Sequence, residues 1–156
     1  MKTILSILFI FVVSAGVSAQ LQAYTFEEAE RLSADNPKPF IVYTYTTWCK
    51  YCGIMKNSTF KDPEVISLLN EHFYFIALNA EETRDILFRK RIFIFQKTGV
   101  RSGIHQLAVE LATVDGEITY PSLTILESNY TIVGQRNSFV SADLLIPLLK
   151  NKISLE

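Results

Sequence analysis

Cysteine is scarce in this chain: its 156 residues include two, Cys49 and Cys52, three positions apart, so no disulfide framework can hold the fold together. Histidine is equally scarce. Cys49, Cys52, His72 and His105 would formally make a Cys2His2 set, but 19 residues separate Cys52 from His72 and 32 separate the histidines. Finger-type zinc sites use about 12 to 15 and 3 to 5, so no metal is expected. His72 reads instead as a helix C-terminal residue and His105 as a helix-start or packing histidine. Charge of one sign is lacking too, with 15 basic against 16 acidic side chains. The densest basic stretch, Arg84 with Arg89, Lys90 and Arg91, is broken by Asp85 and runs into apolar Ile92 to Phe95. Phosphate neutralisation needs clustered Lys and Arg, so nucleic-acid binding is excluded. No apolar run reaches the roughly 20 residues that a membrane-spanning helix needs. Internal repeats, low-complexity tracts and linkers are also lacking, which leaves one domain as the expectation.

What is present begins at the N-terminus. Lys2 precedes an apolar run from Ile4 to Val13, and small residues then end in Val17-Ser18-Ala19, the layout of a cleavable signal peptide. Residues 1–19 are therefore read as a signal peptide and 20–156 as the mature domain, exported to the periplasm. An uncleaved leader acting as an anchor is the alternative. Without Lys2 the mature chain carries 14 basic and 16 acidic side chains, a formal charge of −2.

Thr25-Phe26-Glu27-Glu28 has capping-box spacing and predicts a helix over 26–34. Asp35 to Pro39 stops it, and the short aromatic and β-branched run from Phe40 to Tyr45 predicts a buried central strand. A helix should follow from Cys49, with Thr46 or Thr47 as its N-cap. Asp62-Pro63-Glu64 signals another helix start, and Phe73 to Asn79 another strand. Between 84 and 103, Ile92 to Phe95 suggests an extra strand or hairpin among turn signals. Ile104 to Ala112 reads as a helix, Asp115-Gly116 as a turn, and Ser122–Leu126 with Tyr130–Val133 as a hairpin. A last helix over Ser141 to Lys152 should be kinked or start late, because Pro147 inside it costs about 3 kcal/mol.

The cysteine pair then gains a chemical meaning. Thiol-disulfide exchange needs a thiolate, and an ordinary thiol with a pKa of about 8.5 is only slightly ionised at neutral pH. At a helix N-terminus, unpaired N–H groups and the macrodipole favour the anion. Cys49 occupies such a place, with Cys52 one turn inward. Cys49 is thus the expected attacking thiol and Cys52 the resolving one. A loop this short would stabilise the fold by only about 2 kcal/mol, so a structural staple explains the pair poorly. Lys50 adds a cation that favours the thiolate. Trp48 and Tyr51 can frame an apolar contact surface for substrate, unless Trp48 fills the core instead.

Trp48-Cys49-Lys50-Tyr51-Cys52 after an apolar strand, followed by Tyr120-Pro121-Ser122 before a hairpin, resembles the thioredoxin superfamily. Thr59 to Val65 with Leu69, Asn70 and Phe73 further resembles exported bacterial thioredoxin-like proteins akin to the C-terminal domain of the transmembrane thiol-disulfide reductase. The likeness spans roughly 24 to 150. It implies an α/β thioredoxin fold, a central mixed sheet flanked by helices, with an insertion around 84–103. It also implies a cis Tyr120–Pro121 bond in a loop beside the cysteines, giving Tyr120 and Pro121 substrate-binding roles. One departure stands out: the buried Asp that thioredoxins carry six residues before the first cysteine is Tyr43 here. The expected function is a thiol-disulfide oxidoreductase acting on exported proteins through the Cys49–Cys52 couple. It would be a monomer with no cofactor beyond that disulfide, taking protein thiols or disulfides as substrates and a possible membrane electron donor as partner. Reductase is the favoured direction, since the chain has no room for an isomerase's dimerisation domain or an oxidase's helical insertion. The alternative is a non-catalytic thioredoxin-fold module that binds a partner protein.

Overall fold

Continuous burial from Phe40 to Thr44, on both faces, makes this strand the centre of the molecule, and in the computed structural model helices cover it from both sides. The structure describes residues 20–100 and 102–154. Helix α1 (Phe26–Asp35) opens with the capping box, Thr25 and Glu28 bonding each other's backbone N–H groups. Strand β1 (Phe40–Tyr45) follows, then α2 (Lys50–Asn57), a 3₁₀ turn (Thr59–Lys61), α3 (Pro63–His72) and β2 (Tyr74–Asn79). Asp62 caps α3 through the N–H groups of Glu64 and Val65, ahead of Pro63, whose absent N–H costs nothing at that position.

The predicted insertion is two hairpins rather than one. Strands β3 (Ile86–Phe88) and β4 (Arg91–Phe93) make the first; β5 (Phe95–Lys97) and β6 (Gly103–His105) make the second. Gly103 is required there, because a Cβ would lie 2.6 Å from the backbone carbonyl oxygen of Gln96 as well as against the ring of Phe95. Ile104 therefore belongs to a strand, and helix α4 starts only at Gln106 and runs to Ala112. A small hairpin, β7 (Thr113–Val114) and β8 (Glu117–Ile118), turns through Asp115 and Gly116, both at positive φ. Strands β9 (Ser122–Leu126) and β10 (Ile132–Arg136) pair as expected, but the second is shifted along the chain from Tyr130–Val133. Tyr130 itself sits in the turn at φ 71°. Helix α5 (Ala142–Ile153) starts without delay and contains exposed Pro147.

The main sheet has the order β10-β9-β1-β2, parallel between β1 and β2 and antiparallel elsewhere. Phe40 and Val42 face one core with α1 and α4, where Phe26, Ala29, Leu107 and Ala108 are buried. Ile41 and Tyr43 face the other with α2, α3 and α5, where Met55, Leu69, Leu145 and Leu149 are buried. No helix among the described residues is long and apolar enough to cross a membrane. The signal-peptide reading of 1–19 lies outside the described residues.

Candidate redox site

Strand β1 ends at Tyr45, and the chain passes buried Thr46 before Trp48 and Cys49 emerge at the carboxyl end of the sheet. The predicted threonine cap is replaced by Cys49 itself: its Sγ accepts the N–H of Cys52 at 3.1 Å, and its carbonyl accepts the N–H of Gly53 at 3.1 Å. Thr46 lies too far before the first turn to serve, and its buried hydroxyl makes no hydrogen bond. Cys49 is half-buried and Cys52 is 2% exposed, the asymmetry expected of an attacking and a resolving sulfur. The two are joined in a disulfide with a Cα–Cα distance of 5.2 Å. From below, the hydroxyl of buried Tyr43 donates to the carbonyl of Cys52 at 2.8 Å. Burial, and secondarily its stacked neighbour Tyr45, push the Tyr43 phenol above its usual range, so it stays protonated.

Trp48 does not fill the core. It is 69% exposed, its ring edge against Tyr120 at 6.1 Å between centroids. Tyr120 precedes Pro121 through a cis peptide bond, and pairing of Thr44 with Ser122 sets this loop against the end of β1, directly before the cysteines. Burial first, and the carboxylate of Glu81 second, raise the Tyr120 phenol's pKa. Of the seven residues singled out from the sequence, Trp48, Cys49, Cys52, Tyr120 and Pro121 come together. Lys50 and Tyr51 stand exposed on the first turn of α2, Tyr51 61% so, without an ion pair or ring contact among the described residues.

Two residues escaped the sequence reading. Glu81, just after β2, accepts the Trp48 indole N–H at 3.0 Å and so ties the root of the insertion to the cysteine motif. Asn137 braces the cis-proline loop: its Oδ1 meets Ser122 Oγ at 3.1 Å, its carbonyl accepts from Thr119, and its Nδ2 donates to Ala112. No local pattern marks either, because their partners are 15 to 33 positions away.

Residues 19–114 match the Thioredox_DsbH family, described as "Protein of unknown function, DUF255". The chain belongs to this family. The DsbH-type match covers Trp48, Cys49, Cys52 and the insertion but stops before the cis-proline loop, which the fold then supplies. No curated protein matches the chain in sequence. Among solved structures, a DsbH oxidoreductase superposes with a TM-score of 0.61 at 15% identity, covering 99% of this chain and 96% of that one. A thioredoxin from Thermus thermophilus gives 0.60 at 20% identity, covering 86% and 88%. The oxidised C-terminal domain of DsbD from Neisseria meningitidis gives 0.52 at 20% identity, covering 83% and 98%. These likenesses establish the thioredoxin fold and the resemblance to the DsbD C-terminal domain.

Proposed function

We propose that this DsbH-family chain is a thiol-disulfide oxidoreductase that reduces disulfides in exported proteins. The observation that carries the reading is Cys49 Sγ at the N-cap of α2, accepting the N–H of Cys52, with buried Cys52 joined to it as the disulfide. An N–H aimed at a sulfur, at the positive end of a helix, favours the thiolate over the thiol.

In the reduced enzyme the Cys49 thiolate attacks a substrate disulfide. A Cys49–substrate bond forms, the substrate's S–S bond breaks, and its second sulfur leaves as a thiolate. Cys52, deprotonated, then attacks Cys49 Sγ and releases the first substrate sulfur. The substrate gains two electrons and the enzyme is left as the Cys49–Cys52 disulfide. A second dithiol, supplied by a membrane electron donor, restores the pair. Trp48 and Tyr120 form an aromatic wall beside the reacting sulfurs, exposed Lys50 and Tyr51 on the first turn of α2 add further contacts for substrate, and the backbone at Tyr120–Pro121 offers hydrogen bonds to an extended substrate. The enzyme works as a periplasmic monomer after loss of residues 1–19 and needs no bound cofactor.

The test is the reduction potential of the couple, read as free thiols after equilibration against glutathione buffers. A value near about −270 mV, as in thioredoxin, supports the reductase. A value near about −120 mV would make the protein a disulfide donor, and the absence of a reversible couple would leave a binding module. Cys49→Ser should abolish reduction of a protein disulfide, whereas Cys52→Ser should trap a mixed disulfide on Cys49 that survives non-reducing electrophoresis.

A further inference from the structure

The segment entering the fold is held from its first described residue. The side-chain amide of Asn70 on α3 grips it at two points: Nδ2 donates to the carbonyl of Gln20, and Oδ1 accepts the N–H of Gln22, each at 2.9 Å. Leu21 packs against the core of α2, α3 and α5, and the N–H of Tyr24 donates to the carbonyl of Phe75 on edge strand β2. This clamp engages the Gln20 carbonyl but neither its α-nitrogen nor its side-chain amide, and Gln20 is exposed. Val17-Ser18-Ala19, immediately before it, has the small-residue pattern at which a leader is cut.

We propose that cleavage after Ala19 makes Gln20 the first residue of the mature protein and that Gln20 then closes to pyroglutamate. The proposal rests on the export reading above. Once the peptide bond to Ala19 is hydrolysed, the Gln20 α-amine attacks its own side-chain amide carbon. A C–N bond forms to close a five-membered lactam, the bond to the side-chain nitrogen breaks, and that nitrogen leaves as ammonia with a proton from the amine. No redox change and no co-reactant are involved. The product keeps the main-chain carbonyl, so the bond from Asn70 survives the closure.

The surroundings favour the neutral product. Gln20 lines a cavity of about 340 Å³ floored by Tyr43, Phe60 and Phe75 and rimmed by Lys56 and Lys61. A free α-ammonium at residue 20 would bring a third cation to that rim; the lactam brings none. The new end is also blocked to aminopeptidases.

The full 1–156 chain, secreted in a bacterial host and purified from the periplasm, is measured by intact and fragment mass spectrometry after alkylation. The expected species is residues 20–156 lighter by one ammonia, refractory to Edman degradation until treated with pyroglutamyl aminopeptidase. Gln20→Ala, cut at the same bond, should show the unmodified mass. Residues 20–156 with an intact Gln20 amine would overturn the cyclisation while leaving export standing. An uncut chain, or one starting elsewhere, would overturn the processing on which both depend.

Discussion

Tyr43 shows how a single side chain changes the chemistry a shared fold can perform. In thioredoxins the corresponding place holds a carboxylate; here a phenol donates to the Cys52 carbonyl, and burial keeps it protonated. It can orient the second cysteine but cannot take its proton. Replacing Tyr43 by Phe should therefore cost stability, about 1 kcal/mol for a lost hydrogen bond, seen as a lower urea midpoint. The same variant should leave the pH dependence of disulfide reduction unmoved, and a displaced pH midpoint in single-turnover assays would count against a purely orienting role. The burial of Tyr43 was readable from its place in an apolar strand. Its hydrogen bond was not, since nothing local says that α2 will set a carbonyl above it.

Elements were legible where local signals were strong and misplaced where a tertiary contact decided the boundary. The capping box of α1 and the Asp62-Pro63 start of α3 are written in adjacent residues, and both appear as read. Helix α4 was read two residues early because Ile104 fits its apolar period; pairing with Gln96 across the second hairpin claims that residue instead. His105 then becomes the N-cap, its Nδ1 accepting the N–H of Leu107, in a completely buried setting. Its Nε2 makes no hydrogen bond, although the backbone carbonyls of Arg84 and Phe93 lie near, as do Glu82 and the Arg84 side chain. Burial, the largest influence, lowers the pKa of His105 from 6.5. Protonation would moreover occupy the acceptor of the cap and set a cation at the positive end of α4. Below pH 6.5 the unfolded chain thus binds a proton that the folded chain refuses, so stability should fall as the pH drops through that range. Urea midpoints between pH 7.5 and 5 should decline for the native protein. His105→Asn, which can still cap the helix but cannot titrate, should show a shallower decline; an equal slope would place the effect elsewhere.

At the scale of the whole molecule, the fold was legible because two distant signals agreed, the Trp-Cys-x-x-Cys motif after an apolar strand and the Tyr-Pro-Ser before a hairpin. The insertion was legible as a segment but its layout was not, because the first hairpin is held by contacts to α1 rather than by its own sequence: Glu27 bonds Arg84 and the N–H of Leu87, and Glu30 bonds the N–H of Arg89. β1, β2 and β9 each give residues to both cores, and Tyr120 touches both. Leu107 anchors one core and Leu149 the other, each essentially inaccessible to water. Truncating either to Ala should cost about 2 to 5 kcal/mol, from lost transfer energy plus the cavity left behind. Because the sheet lies between them, the double variant should lose close to the sum of the two, within about 0.5 kcal/mol, in a single transition followed by far-ultraviolet circular dichroism. Two resolved transitions would mean instead that the helices on the two faces of β1 unfold as separate units, and that the cysteine motif, whose helix α2 packs on the Leu149 side, can lose its setting while the α1 and α4 face stays folded.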